Sequence, residues 1–92
     1  MKIFKMIYDV SKYIENAIRA VAVRVEITEA LNREDYDEAL EQANLCYASV
    51  FENYQILRRR GWGTKDEERT LESLSEEINQ LTNQLNSTEI KK

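Results

Sequence analysis

The order of apolar and polar residues divides the chain into three amphipathic stretches. Leu71, Leu74, Ile78, Leu81 and Leu85 recur at spacings of 3 and 4 with polar residues almost everywhere between them. This is a narrow heptad seam, and it predicts a helix over about 65–87. Thr64 and Glu67 have the spacing of a capping box, and Asp66, Glu67 and Glu68 stand where the positive end of the helix dipole favours anions. A second seam, Tyr36, Leu40, Ala43, Tyr47, Val50, Tyr54 and Leu57, predicts a helix over about 35–60. Asn32 or Asp35 can cap its start. Arg58, Arg59 and Arg60 complement the dipole at its end, and Gly61 suits the left-handed position beyond.

The first stretch, about 2–31, is broader. Ile3, Ile7, Val10, Ile14, Ala17, Val21 and Leu31 thread as one seam. Met6, Tyr13, Ala20 and Ile27 form an apolar row on one side of it, and Phe4, Ile18 and Val25 a row on the other. So wide a face must touch two neighbours, or one neighbour and a partner chain. Val21, Val23, Val25 and Ile27 alternate with Ala22, Arg24 and Glu26 in a strand-like way. Helix wins over strand because the helical spacing runs uninterrupted for more than twenty residues and a lone strand has no pairing partner elsewhere.

The breaks are Leu31 to Asp35 and the only two glycines, Gly61 and Gly63, around Trp62. Loops this short make consecutive helices antiparallel. The expectation is a single all-α domain over 1–92. It is an antiparallel up-down-up three-helix bundle with coiled-coil-like heptad packing, the first helix central, and a polar tail at 88–92. The piece Asp35-Tyr36-Asp37-Glu38-Ala39-Leu40 resembles the interior of a tetratricopeptide repeat hairpin over about a dozen residues. Gln42 and Leu45 then stand where that repeat usually has an aromatic and an alanine, and no second copy follows, so nothing is carried over from it.

Composition narrows the chemistry. The 92 residues include no histidine, no proline and one cysteine. Ser-His and Cys-His nucleophiles, cysteine zinc sites and an internal disulfide are thereby excluded. A single unpaired cysteine fits a reducing cytoplasm. Neither a signal peptide nor a membrane-spanning stretch is read. Cys46, between Leu45 and Tyr47 with no basic neighbour, reads as a small hydrophobe and not as a reactive thiolate. The carboxylates Glu34, Asp35, Asp37, Glu38 and Glu41 lack calcium-loop spacing and read as a solvated helix start. No catalytic residue, cofactor, metal ligand or small-molecule substrate is assigned, and no enzyme activity is expected.

The net charge of −4 argues against general nucleic-acid binding. Arg58-Arg59-Arg60-Gly61-Trp62 is a local exception. It can neutralise phosphates and stack on a base, clamp carboxylates on a protein partner, or simply end a helix. Surplus apolar surface on the first helix, with Leu45 and Ile56 off the seam of the second, favours a protein partner, either a second copy or a larger protein. The expected contact residues are Phe4, Ile18, Val25, Leu45 and Ile56, with Arg58, Arg59, Arg60 and Trp62 as polar anchor. This is the profile of adaptors, assembly factors and inhibitor or immunity-type proteins. A nucleic-acid-binding module using the Arg58 to Trp62 loop is the alternative.

Overall fold

The computed structural model describes residues 2–90, the side chains of 88–90 excepted. Three helices follow one another: α1 (Lys2–Asn32), α2 (Tyr36–Arg60) and α3 (Lys65–Ile90). They form an all-α three-helix bundle, drawn out to 58 × 19 × 17 Å. Residues 88–90 continue α3, where the sequence suggested the start of a polar tail; Lys91 and Lys92 lie outside the described residues.

The loops are closed by local backbone chemistry. At the end of α2, Gly61 is left-handed (φ 71°). Its N–H donates to Arg58 O at 3.1 Å, and the Trp62 N–H donates to Leu57 O at 2.9 Å. This is the double closure that satisfies a helix's last carbonyls. The end of α1 closes in the same way, with Glu34 N–H on Leu31 O and Asp35 N–H on Ala30 O. Here Glu34 occupies the left-handed position (φ 59°) without being glycine, a conformation that costs an L-residue about 1–2 kcal/mol. Asp35 then caps α2 by accepting from the Glu38 N–H. At the start of α3 the expected Thr64–Glu67 box is not formed. Thr64 Oγ1 donates to Glu68 Oε2 at 3.0 Å instead, because Glu67 is drawn toward α1 by the Tyr13 hydroxyl.

The central element is α2, not α1: α1 packs on α2, and α2 on α3. The reason is that α2 carries two heptad rows. One is the apolar row read from the sequence. The other is Ala39, Gln42, Cys46, Ser49, Asn53, Ile56 and Arg60, which holds too many polar and small residues to read as a seam, although five of its members are buried. That second row lies against α1: Asn53 bonds Asn16, Arg60 bonds Asp9, and the Cys46 thiol points at Ala20 O. The core is assembled from Val23, Ile27 and Ala30 of α1, Ala39, Ala43, Cys46 and Val50 of α2, and Leu74 and Leu81 of α3. The small residues Ala30, Ala39 and Ala43 let neighbouring helices approach closely. The seam of α3 behaves as its spacing suggested, with Leu74 and Leu81 buried and Leu71 and Ile78 packed around them.

Candidate functional site

In α1 the face turned to α2 differs from the seam threaded through the sequence. The row that α2 covers is Asp9, Tyr13, Asn16, Ala20, Val23, Ile27 and Ala30, at spacings of 4 and 3. Asp9, Asn16, Val23, Ile27 and Ala30 are buried. Ile3, Ile7, Val10, Ile14, Val21 and Leu31 of the expected seam are exposed instead. Two polar residues in the first half of the true row disguise it, and each has a partner. Asn16 Nδ2 donates to Asn53 Oδ1 at 3.1 Å, and Asn53 Nδ2 donates to Tyr13 O at 3.1 Å; Asn16 Oδ1 is buried without a bond. Asp9 takes Arg59 Nη2 at 3.1 Å and Arg60 Nε at 2.7 Å. Asp9–Arg60, Asn16–Asn53, Val23–Cys46 and Ala30–Ala39 all share one antiparallel register, seven residues forward in α1 for seven back in α2.

The Arg60 hydrogen bond, opposed by desolvation and helped by Arg59, holds the Asp9 carboxyl below its ordinary value of 3.8. The folded state therefore binds the Asp9 proton more weakly than the unfolded chain does. The stability this gives is fully present above the ordinary carboxylate range and is lost as pH falls through the lowered value. Asp9→Asn is thus expected to lower the melting temperature at pH 7 and to leave a much smaller difference from wild type at pH 2–3. Parallel thermal melts at the two pH values check this. Burial pushes the Cys46 thiol up, and burial together with Glu67 pushes the Tyr13 hydroxyl up; neither group is primed as a nucleophile or base.

The opposite side of α1 carries Ile3, Ile7, Val10, Ile14, Ile18, Val21 and Val25, each between 38% and 69% exposed. At 3.6 residues per turn this stripe is centred about 150° from the row that α2 covers. Its spacings are 4, 3, 4, 4, 3, 4, so Ile3, Ile14 and Val25 stand eleven residues apart, as do Ile7 and Ile18, and Val10 and Val21. An eleven-residue repeat follows the natural helical turn more closely than a heptad, so the stripe runs almost straight. Phe4 and Tyr8 are exposed beside it. Because Arg60, the last residue of α2, meets Asp9, the turns before Asp9 extend past the end of α2, and every residue from Lys2 to Tyr8 is exposed.

Of the contact residues expected from sequence, Phe4, Ile18 and Val25 are exposed on α1 and Leu45 on α2. Ile56 is not: at 2% exposure it is buried, since it shares the row of Ser49 and Asn53 that α1 covers. Arg58 is exposed and Trp62 partly so, while Arg59 and Arg60 are engaged by Asp9. One open cleft at the α1 amino-terminal end brings Phe4, Lys5, Tyr8 and Asp9 together with Arg59 and Arg60. Of the expected contact residues the cleft thus joins Phe4 with two of the three arginines, whereas Ile18, Val25, Leu45, Arg58 and Trp62 do not line it. The residues of the α1–α2 contact missed in the sequence are Asp9, Asn16 and Asn53. A signal for them existed: Asp9, Asn16, Val23 and Ala30, like Cys46, Asn53 and Arg60, stand seven apart.

Among the described residues, no group of three or more cysteine or acidic side chains is placed to hold a metal ion, and no helix is long and apolar enough to cross a membrane. No protein family model, no curated protein and no solved structure matches the chain.

Proposed function

We propose that the chain is a small non-enzymatic cytoplasmic docking module whose working surface is the outward face of α1. The observation that carries this is the exposed Ile/Val stripe running from Ile3 to Val25, on the side of the helix turned away from α2. A typical monomer's largest apolar patch is about 300–600 Å². Seven branched side chains at about half exposure leave on the order of 700 Å² before Phe4 and Tyr8 are added. At one end of this surface the Arg58 to Trp62 segment contributes Arg59 and Arg60 to the cleft lined by Phe4 and Tyr8. Its use as a phosphate-binding array is disfavoured, because Asp9 engages two of its three guanidinium groups.

The test compares tagged full-length chain with Ile14→Lys and Ile18→Lys, both at exposed positions and therefore expected to keep the helical content by circular dichroism. Wild type should retain bound protein, its own untagged copies included, that both variants lose, and should show no salt-sensitive affinity for single-stranded RNA. Tight RNA binding abolished by Arg58→Ala and indifferent to Ile14→Lys would reverse the assignment in favour of the nucleic-acid alternative.

A further inference from the structure

We infer that the partner of this face is a second copy of the same chain, and that the two α1 helices pair antiparallel about a two-fold axis at Ile14. The inference rests on the docking reading and names its occupant. Three independent features of α1 point to it.

The first is symmetry. The spacings 4, 3, 4, 4, 3, 4 read the same in both directions. A two-fold antiparallel contact requires this property, because the same patch must complement itself with direction reversed. Turned about Ile14, the stripe sets Ile3 against Val25 of the other copy, Ile7 against Val21, Val10 against Ile18, and Ile14 against Ile14. The helical turn supplies this order to any straight stripe; what is particular to α1 is that its exposed branched residues extend eleven positions to either side of Ile14, so two antiparallel copies overlap over the whole stripe.

The second is charge. Every other helix of the bundle has acidic residues in its first turn, and α2 has basic ones in its last. In α1 there is no acidic residue in the first turn and no basic residue in the last. Instead Lys2 and Lys5 sit at the positive end of its dipole, and Glu26 and Glu29 lie toward the negative end. Both placements oppose the dipole. An antiparallel second copy sets the lysine-bearing end of one α1 alongside the glutamate-bearing end of the other, with Lys5 itself turned to the α2 side; a parallel copy sets like ends together.

The third is coverage. The turns from Lys2 to Tyr8 project past the end of α2 with every residue exposed, and so short a helical segment is marginal in water without packing. In the antiparallel register these turns lie along residues 20–26 of the other copy, so the overhang of each molecule is covered by the other. On the order of 700 Å² per copy, widened by Phe4 and Tyr8, approaches the ~800 Å² per partner of a standard stable interface.

The experiment is light scattering of the full chain over micromolar to millimolar concentration, joined to cysteine crosslinking. Cys46 is buried, and burial raises its thiol, so it stays out of the crosslinking. The expected result is a species of twice the 10.9 kDa chain mass with a concentration-dependent melting temperature. Ile14→Lys, which sets two lysines face to face at the axis, should weaken the dimer at least 100-fold. On mild oxidation, a mixture of Ile3→Cys and Val25→Cys should crosslink with each other and not with themselves. Crosslinking of each variant with itself overturns the antiparallel arrangement. A monomer at every concentration overturns the second copy; if Ile14→Lys still abolishes binding of other proteins, the docking reading survives alone, and if it changes no binding, both fall.

Discussion

Truncating Ile27 to alanine is expected to cost the fold about 2–5 kcal/mol, whereas the same truncation at Ile18 should change the stability of dilute, monomeric protein by no more than about 0.5 kcal/mol. The two residues are identical and stand in the same helix nine positions apart, yet Ile27 is 0% exposed and Ile18 is 66% exposed. Ile27 sits in the core cluster with Val23 and Ala30, the small residues of α2 and Leu74 of α3, and its removal leaves a cavity there. Total stability for 92 residues is on the order of 5–14 kcal/mol at typical per-residue values, so this one change consumes a large share of it. At about 4–8 °C per kcal/mol for a domain this size, Ile27→Ala should melt at least 8 °C lower. Urea unfolding followed by circular dichroism at low micromolar concentration checks both variants. Equal losses would mean that the outward face of α1 is covered within a single molecule, and the docking function would lose its basis.

The second large effect is expected at the buried amide pair. Asn53→Ala removes the acceptor of Asn16 Nδ2 and one bond to Tyr13 O. It leaves the Asn16 amide at 0% exposure with neither of its polar atoms bonded. An unsatisfied buried group of this kind costs about 1–3 kcal/mol, and the lost side-chain volume adds to it. Asn16→Val combined with Asn53→Val should instead fall within about 1 kcal/mol of wild type, because both partners become apolar together. The double-mutant cycle is therefore expected to show a coupling of at least 1 kcal/mol. What the double variant should lose is uniqueness. Asn16–Asn53 and Asp9–Arg60 are the two polar contacts that distinguish the native α1–α2 register from one slipped by a heptad, and buried polar pairs are the best-attested device for fixing register. Broadened amide resonances along α1 and α2, at near-wild-type stability, are the expected signature.

The residues that made the fold legible were those whose chemistry is local. The seam of α3, the apolar row of α2, the Asp35 cap and the left-handed Gly61 all follow from spacing and from backbone groups that must be satisfied within a few residues. Surplus apolar surface on α1 could be read in the same way, since more apolar rows were present than two neighbours could hide. Which of those rows would be buried was another matter. Hydrophobicity ranked the Ile3, Ile7, Val10, Ile14 row above the Asp9, Asn16, Val23, Ala30 row, and hydrophobicity was a poor guide here because Asp9 and Asn16 are affordable inside only when Arg60 and Asn53 arrive from another helix.

The amino-acid order by itself thus determined three helices, the two turns between them and the excess of apolar side chains on the first, because periodicity, capping and dipole effects act within a turn or two of chain. Tertiary structure alone decided that α2 is the middle helix, that Ile56 is buried, and that the Ile/Val stripe of α1 faces outward. Those outcomes depend on pairing between groups 37 to 51 residues apart, and the worth of a buried polar residue is set by its partner and not by its own place in the chain.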